Sequence, residues 1–397
     1  MIEDESEDED DGKRNRRPRS MPKMRMVVEA GPRARHNVPL KVAIPRCTSA
    51  RLAEEATGRP VPCQVTHDEL HWVLDHLLQG AEKAYVVEPG RGGQGTVPGV
   101  AAARVGETVE FSIDGNLFTR YNFGKEWARP FFYPLLGPDQ VQITRDYPMV
   151  PDVPGESTDH PHHKSLWVAH GSVNEVDDWS EEKGHGTQVS RKIKELVEGP
   201  VVAVLRQDLD WVSNRGKTVC EEEREIRVYA AVPEERILDL AVTFRARPGK
   251  VVFGDTKEGG LCSIRVATSM DGNKGGRIEN SYGAIGEAET WGRRACWCDY
   301  SGPVVGKMVG IAVFDTPGNL RYPTYWHVRD YGLMTANPFG ISFFQPDSAE
   351  RGEYTLPAGK ELRFAYRVFM HLGTAGVARV ADKYHDYINP PRVRLEK

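Results

Sequence analysis

From Val100 onward the chain alternates apolar and polar residues in short runs broken by turn signals, and few architectures accept that pattern. Glu107–Ile113 alternates, turns at Asp114-Gly115 and returns as Leu117–Tyr121, which reads as a hairpin. Val201–Val212 and Val219–Ala230 repeat the device around Asn214-Arg215-Gly216, and Arg236–Arg245 adds another alternating run. Further strands are predicted at Leu261–Thr268, Met308–Phe314, Gly340–Phe344 and Leu362–Met370. Strands in antiparallel succession predict a mainly β fold built as a large antiparallel sandwich. One helix is predicted, Ala375–Ile388, which lines up Val377, Val380, Ala381, Tyr384 and Ile388 and stops before Pro390 and Pro391.

A chain of 397 residues is long for one core. The expected division is a charged, disordered tail over 1–24, a small β domain over 25–98, and a large sandwich domain over 99–397 that carries the site. The tail runs acidic from Glu3 to Asp11 and basic from Lys13 to Arg19, with too little apolar content to drive folding. In the small domain Val38–Pro45 and Ala84–Val87 read as strands, Asp68–Leu78 fits either a strand or a short helix, and the Pro/Gly-rich Glu88–Gly99 reads as a linker.

Net charge is −5, which argues against nucleic acid as a partner. No apolar stretch is long enough for a membrane helix, and the N-terminus has no apolar signal core, so a cytoplasmic protein with no membrane partner is expected. The six cysteines are scattered and read as buried free thiols; Cys296 and Cys298, sharing one strand face, leave a metal or redox pair as the alternative. Oligomeric state is not legible.

The densest chemistry lies in 158–171, where His160, His162, His163 and His170 stand among Asp159, Lys164 and Trp167. If the segment is extended, His160 and His162 share a face and His163 takes the other. Such a cluster suits proton transfer by an imidazole held near a carboxylate. It also suits a divalent metal on His160, His162 and Asp159, or a loop of hydrogen-bonding histidines with no cofactor. Arg129, among aromatics in 127–135, is either a clamp for substrate oxygens or a buried arginine serving loop carbonyls. Glu258, ahead of Gly259-Gly260, is either a general base or a turn acid, with Arg265 farther along the strand. Gln345 and Asp347 follow the predicted strand 340–344. Asn273 and Tyr331 are weaker polar candidates, and Trp167, Trp179 and Trp291 are candidate stacking platforms. The glycines of Gly90–Gly95 lack the strand and helix of a dinucleotide loop.

Tyr121-Asn-Phe, Arg129-Pro-Phe-Phe-Tyr-Pro, the His-Pro-His-His-Lys-Ser-Leu-Trp core of 160–167, Lys257-Glu-Gly-Gly and Arg265-Val-Ala together resemble a bacterial family of unknown function labelled methane oxygenase PmoA-like. The membrane oxygenase itself is excluded by the lack of any spanning stretch. Phe343–Ser348 and Tyr354–Phe369 are similar to the C-terminal strands of aldose 1-epimerases. That resemblance implies a galactose mutarotase-like supersandwich with a sugar on one concave sheet, where a histidine protonates the ring oxygen and a glutamate takes the hydroxyl proton. Here Ser342–Gln345 holds no acid at the epimerase glutamate's place, which passes the base to Glu258 or Asp347. The expected function is therefore a carbohydrate-active enzyme, a hydrolase, lyase or epimerase. His162 or His163 would be its acid, Glu258 its base, and Arg129 and Trp167 its substrate holders, supported by His160, Lys164, His170, Arg265 and Gln345. A non-catalytic sugar-binding protein and a metal-dependent enzyme are the alternatives.

Overall fold

The computed structural model describes residues 22–90 and 99–396. The expectations of a disordered tail and of a linker fall mostly on 1–21 and 91–98, outside the described residues. So do most of the glycines at 90–95.

The mainly β fold forms as two large antiparallel sheets. One has nine strands, ordered Arg293–Arg294, Tyr325–Arg329, Leu333–Ala336, Gly259–Arg265, Leu166–His170, Phe131–Leu135, Asn116–Asn122, Thr108–Ile113 and Val100–Val105. The other has eight, ordered Thr187–Val197, Val202–Val212, Thr218–Tyr229, Glu235–Arg245, Glu361–Leu372, Lys307–Phe314, Trp297–Val304 and Arg277–Asn280. Alternation dictates how they meet. Phe111, Leu166, Val168, Cys262, Ile264, Met334 and Trp326 from the first sheet share one apolar core with Leu205, Ile226, Leu240, Ile311 and Phe364 from the second. The intervening residues of the nine-stranded sheet (Trp167, Ser263, Arg265, Thr335, His327) are left on its outer face, where loops cover them.

Residues 24–90 build two smaller sheets around a separate apolar cluster that includes Val28, Leu40, Leu52, Trp72 and Val87. Asp68–Leu78, ambiguous in the sequence, contains the strand Glu69–Leu77, which pairs with Arg35–Ala43. The C-terminal strand Arg392–Glu396 pairs with Met24–Glu29, so the last residues join this sheet rather than the sandwich. Gln64 ties the two parts together: its Oε1 accepts the Val202 N–H and its Nε2 donates to the Val202 carbonyl.

Three local expectations are corrected. The helix spans Val380–Ile388 rather than beginning at Ala375, because Gly373 and Arg379 both take left-handed backbone and break the segment into turns first. Ile341–Phe344 is a short helix, not a strand; the Asp255 carboxylate accepts the Ser342 N–H and fixes that turn. The strand predicted over Leu261–Thr268 runs from Gly259 to Arg265 and gives way to a 3-10 turn at Thr268–Met270. Cys296 and Cys298 form no disulfide and enter different apolar clusters. Among the described residues no helix is long and apolar enough to cross a membrane.

Candidate functional site

The histidine segment is not extended. His160 adopts a positive φ, and the His163 N–H closes a turn on the His160 carbonyl at 3.0 Å. The cause is Arg145, a fully buried guanidinium that the loop wraps. It donates to the carbonyls of Ser157, Asp159, His160 and His163, and to Asp159 Oδ1 at 2.6 Å. Arg265 reaches the same carboxylate oxygen from the sheet at 2.7 Å. Burial works against the Asp159 charge, but Arg265, then Ser157 and His160, outweigh it and hold the carboxyl below its ordinary value.

The turn brings His160 and His163 onto one face, against the expectation that they diverge. Four nearly parallel rings pack together: Tyr331 against His160 (5.0 Å, 13°) and His163 (6.4 Å, 18°), His160 against His163 (4.8 Å, 7°) and His163 against Trp167 (5.3 Å, 22°). His162 stands edge-on to His163 and to Trp179. His163 is buried and accepts from Arg265 Nη1 at Nδ1, 3.2 Å away. Its pKa is pushed well below the usual imidazole value by burial first, then by His162 and Arg265. His162, half-buried, is pushed down to about 4 by burial, Arg129 and His160. Both rings are therefore neutral near pH 7.

Several expected site residues are engaged within the protein. Arg129 is buried and donates to the carbonyls of Trp179 and His162 and to Glu181 at 2.7 Å, the loop-serving alternative. Lys164 Nζ contacts both Glu181 oxygens at 2.6 Å. Arg129 and Lys164 thus share one acid and staple the 171–186 loop over the sheet. His170 points the other way, into the core between Phe253 and Phe339, with Nε2 on the Gly254 carbonyl. Gln345 donates to the Gly292 carbonyl, and Asp347 is exposed in the turn after the short helix. Neither joins the histidines. Asn273 lies in a 3-10 turn at 272–274. A metal on His160, His162 and Asp159 does not fit: Asp159 is taken by two guanidinium groups, and among the described residues no three His, Cys, Asp or Glu side chains converge as ligands.

Glu258 fares differently. Its side chain is 44% exposed and it pairs with Lys257 Nζ at 2.6 Å. Burial would raise its pKa, but Lys257, with smaller help from His327 and His162, keeps it lowered. Those contributions also place His162 and His327 within electrostatic reach of the carboxylate. His327 was not singled out in the sequence. Its signal is the alternation of Tyr325–Arg329, in which Trp326 and Val328 enter the core and His327 must face outward. Its Nδ1 lies 2.8 Å from the Lys257 carbonyl, an acceptor only, so Nδ1 carries the proton and Nε2 is a bare acceptor with no protein partner. Burial pushes His327 down to about 4, with Glu258 opposing. Asn337 Nδ2 donates to the Thr256 and Lys257 carbonyls and so fixes the turn that presents Glu258. Trp291 stands over His327. The arrangement is an open carboxylate beside a lysine, two neutral imidazoles and aromatic rings, on the outer face of a β-sandwich.

A β-sandwich domain with this site falls within a recognised group of sequences. The model of a family of unknown function, DUF6807, matches residues 108–385, and the chain belongs to that family. No curated protein matches the sequence. Among solved structures, a protein in glycosyl hydrolase family 38 and an alpha-mannosidase, both from Enterococcus faecalis, are similar over 94% of this chain at 10% identity, with TM-scores of 0.41 and 0.39. The chain spans about half of each, 47% and 46%. A galactose mutarotase related enzyme from Lactobacillus acidophilus is similar over 69% of this chain and 97% of its own at 8% identity, with a TM-score of 0.29. Likenesses of this strength carry no argument about what the chain does.

Proposed function

We propose that the chain is a carbohydrate-active enzyme that removes a proton from a sugar or sugar derivative held on the outer face of the nine-stranded sheet. Of the hydrolase, lyase and epimerase chemistries, this favours the last two. The observation that carries it is the open Glu258 carboxylate, paired to Lys257, whose carbonyl in turn holds the neutral ring of His327. Neutral rings are not imidazolium acids at pH 7, and each keeps a single N–H, so His162 and His163 are placed here as hydrogen-bond donors rather than as the strong acid expected of them. Glu258 is the base. It takes a C–H proton next to a carbonyl, the C–H electron pair moves into the carbon framework, and the negative charge develops on the carbonyl oxygen beside the Lys257 ammonium. His162 and Tyr331 offer a hydrogen-bonding edge and an aromatic face to the substrate.

The test is incubation of the protein with uronic acids, aldoses and oxidised sugars in D2O, read by NMR. Deuterium entering at one substrate carbon, and lost at least about 100-fold in Glu258→Gln with binding retained, is the expected result. Saturable binding with no exchange and no product would replace this reading with a non-catalytic sugar-binding protein.

A further inference from the structure

A second cleft, of about 490 Å³, lies on the opposite side of the molecule, between the strands of 35–77 and the outer face of the eight-stranded sheet. That volume is of the size small-molecule sites occupy. Its walls are contributed by His71, by Arg227 and Arg363 of the sheet, and by Tyr387, Pro390 and Pro391 at the chain's C-terminal end. None of these belongs to the site around Glu258.

Two features of the cleft point to a ligand. The first is His71, 3% exposed, whose Nε2 is buried with no hydrogen-bond partner. Its nearest acid, Glu69, is 3.7 Å away and engaged by Lys41. A buried imidazole nitrogen left bare is costly unless something else supplies the bond. The second is Arg227. Only its Nε is engaged, by Glu225 Oε1 at 2.9 Å, and Glu225 also serves Arg206 at 2.7 Å. Arg206 also has Glu195 at 3.5 Å, and Glu225, Asp239 and Asp386 line the cleft beside Lys41, Arg227, Arg363 and Arg367, so the walls carry four cations and three acids; both terminal nitrogens of Arg227 lack a protein partner among the described residues. The neighbouring Arg367 differs, since both Asp239 oxygens satisfy it. Arg363 forms no ion pair among the described residues and lines the mouth. Burial, then the charge of Arg227, push His71 down to about 4, which places the two groups within reach of each other and keeps the ring neutral.

We propose that this cleft is a second binding site that takes a small hydroxylated carboxylate, the acid on Arg227 and a hydroxyl on His71 Nε2. Two terminal nitrogens of one guanidinium match the two oxygens of a carboxylate in a planar fork. The neutral imidazole exchanges a hydrogen bond with a hydroxyl without demanding charge. The prolines supply an apolar wall for the carbon skeleton. The site stands independently of the function proposed above, because it shares no residue with it.

The test uses the full chain labelled at its histidine rings, titrated with D-glucuronate and, separately, with D-gluconate, glucose and inorganic phosphate. The expected result is a saturable shift of the His71 ring with the two acids and not with glucose. Arg227→Gln should weaken that binding at least about tenfold, since it removes a charge-assisted contact to the acid. Glu258→Gln should leave it unchanged. Arg363→Gln, at the exposed mouth, gives a second reading if the Arg227 variant fails to fold, with a smaller loss expected. A His71 ring unmoved by either acid at millimolar concentration overturns the proposal. So does a response that survives Arg227→Gln or disappears in Glu258→Gln, and a stronger response to phosphate overturns the carboxylate class.

Discussion

Asp159→Asn removes one charge and no volume, and the structure says what that charge does. Its Oδ1 accepts from Arg145 at 2.6 Å, from Arg265 at 2.7 Å and from Ser157 Oγ at 2.9 Å. The two guanidinium groups are 0% and 1% exposed, while the carboxylate is 39% exposed. Two charge-assisted hydrogen bonds would contribute about 1.5–3 kcal/mol each if dry. Solvent at the carboxylate discounts this by about half, giving a loss of about 1.5–3 kcal/mol. The asparagine leaves Arg145 and Arg265 facing each other without a counter-charge, in a place where burial and Arg265 already push Arg145 down to about 10. Urea denaturation followed by tryptophan fluorescence reads the loss, since Trp167 and Trp179 pack against the wrapped loop. The pH dependence fixes the cause. A carboxyl held below its ordinary 3.8 contributes fully above that pH and loses its contribution as pH falls toward the folded value, so the gap between variant and wild type should narrow only below pH 3.8. A loss under about 0.5 kcal/mol, or a gap that narrows near neutral pH, would refute the idea that this acid organises the loop.

Gly260→Ala should destabilise by about 1–3 kcal/mol, seen as a lowered melting temperature, because the added Cβ would collide with Thr335 Oγ1 and Ser263 Oγ and stand 2.7 Å from Thr335 Cβ. His170 is pushed from 6.5 to about 4 by burial, so its contribution is intact above pH 6.5 and declines as pH falls from 6.5 to about 4. His170→Gln should make the fall in unfolding free energy over that window shallower by about one proton, and identical slopes would show that the ring is not buried neutral.

What was legible in the sequence follows from period-2 alternation, which carries its own physical reason. Glu107–Ile113, Val201–Val212 and Arg236–Arg245 fall within or overlap strands of the two sheets, and the alternation also decides which residues face the core. Gly340–Phe344 misled because its apolar residues suit a strand, while the Asp255 cap that turns it into a helix lies 87 residues away in the chain. The histidine segment was found by its density, but its shape was not, because Arg145 sits outside the cluster and acts through backbone carbonyls that carry no sequence signature. Glu181 was invisible for a related reason: only folding brings it under Arg129 and Lys164. His327 was recoverable, since a lone histidine alternating with Trp326 and Val328 on a strand can face only outward.

The arrangement also says how mutational results around the histidines should be read. A conspicuous cluster invites the reasoning that lost activity on substitution marks a catalytic group, and here that inference fails for most of its members. His163 packs among parallel rings and on Arg265, Arg129 and Lys164 staple a loop through Glu181, and Asp159 joins two buried cations. Replacing any of them disturbs the wall against which His162 rests, so activity and stability should fall together. The Glu258 carboxylate is paired only with its neighbour Lys257 among the described residues, while its backbone is held by the Thr256 hydroxyl and the Gly171 N–H, and more than two-fifths of its side chain meets solvent. Loss of turnover at unchanged stability should therefore separate Glu258 from the histidine segment, and the residues that behave like Glu258 in that comparison are those that meet the substrate.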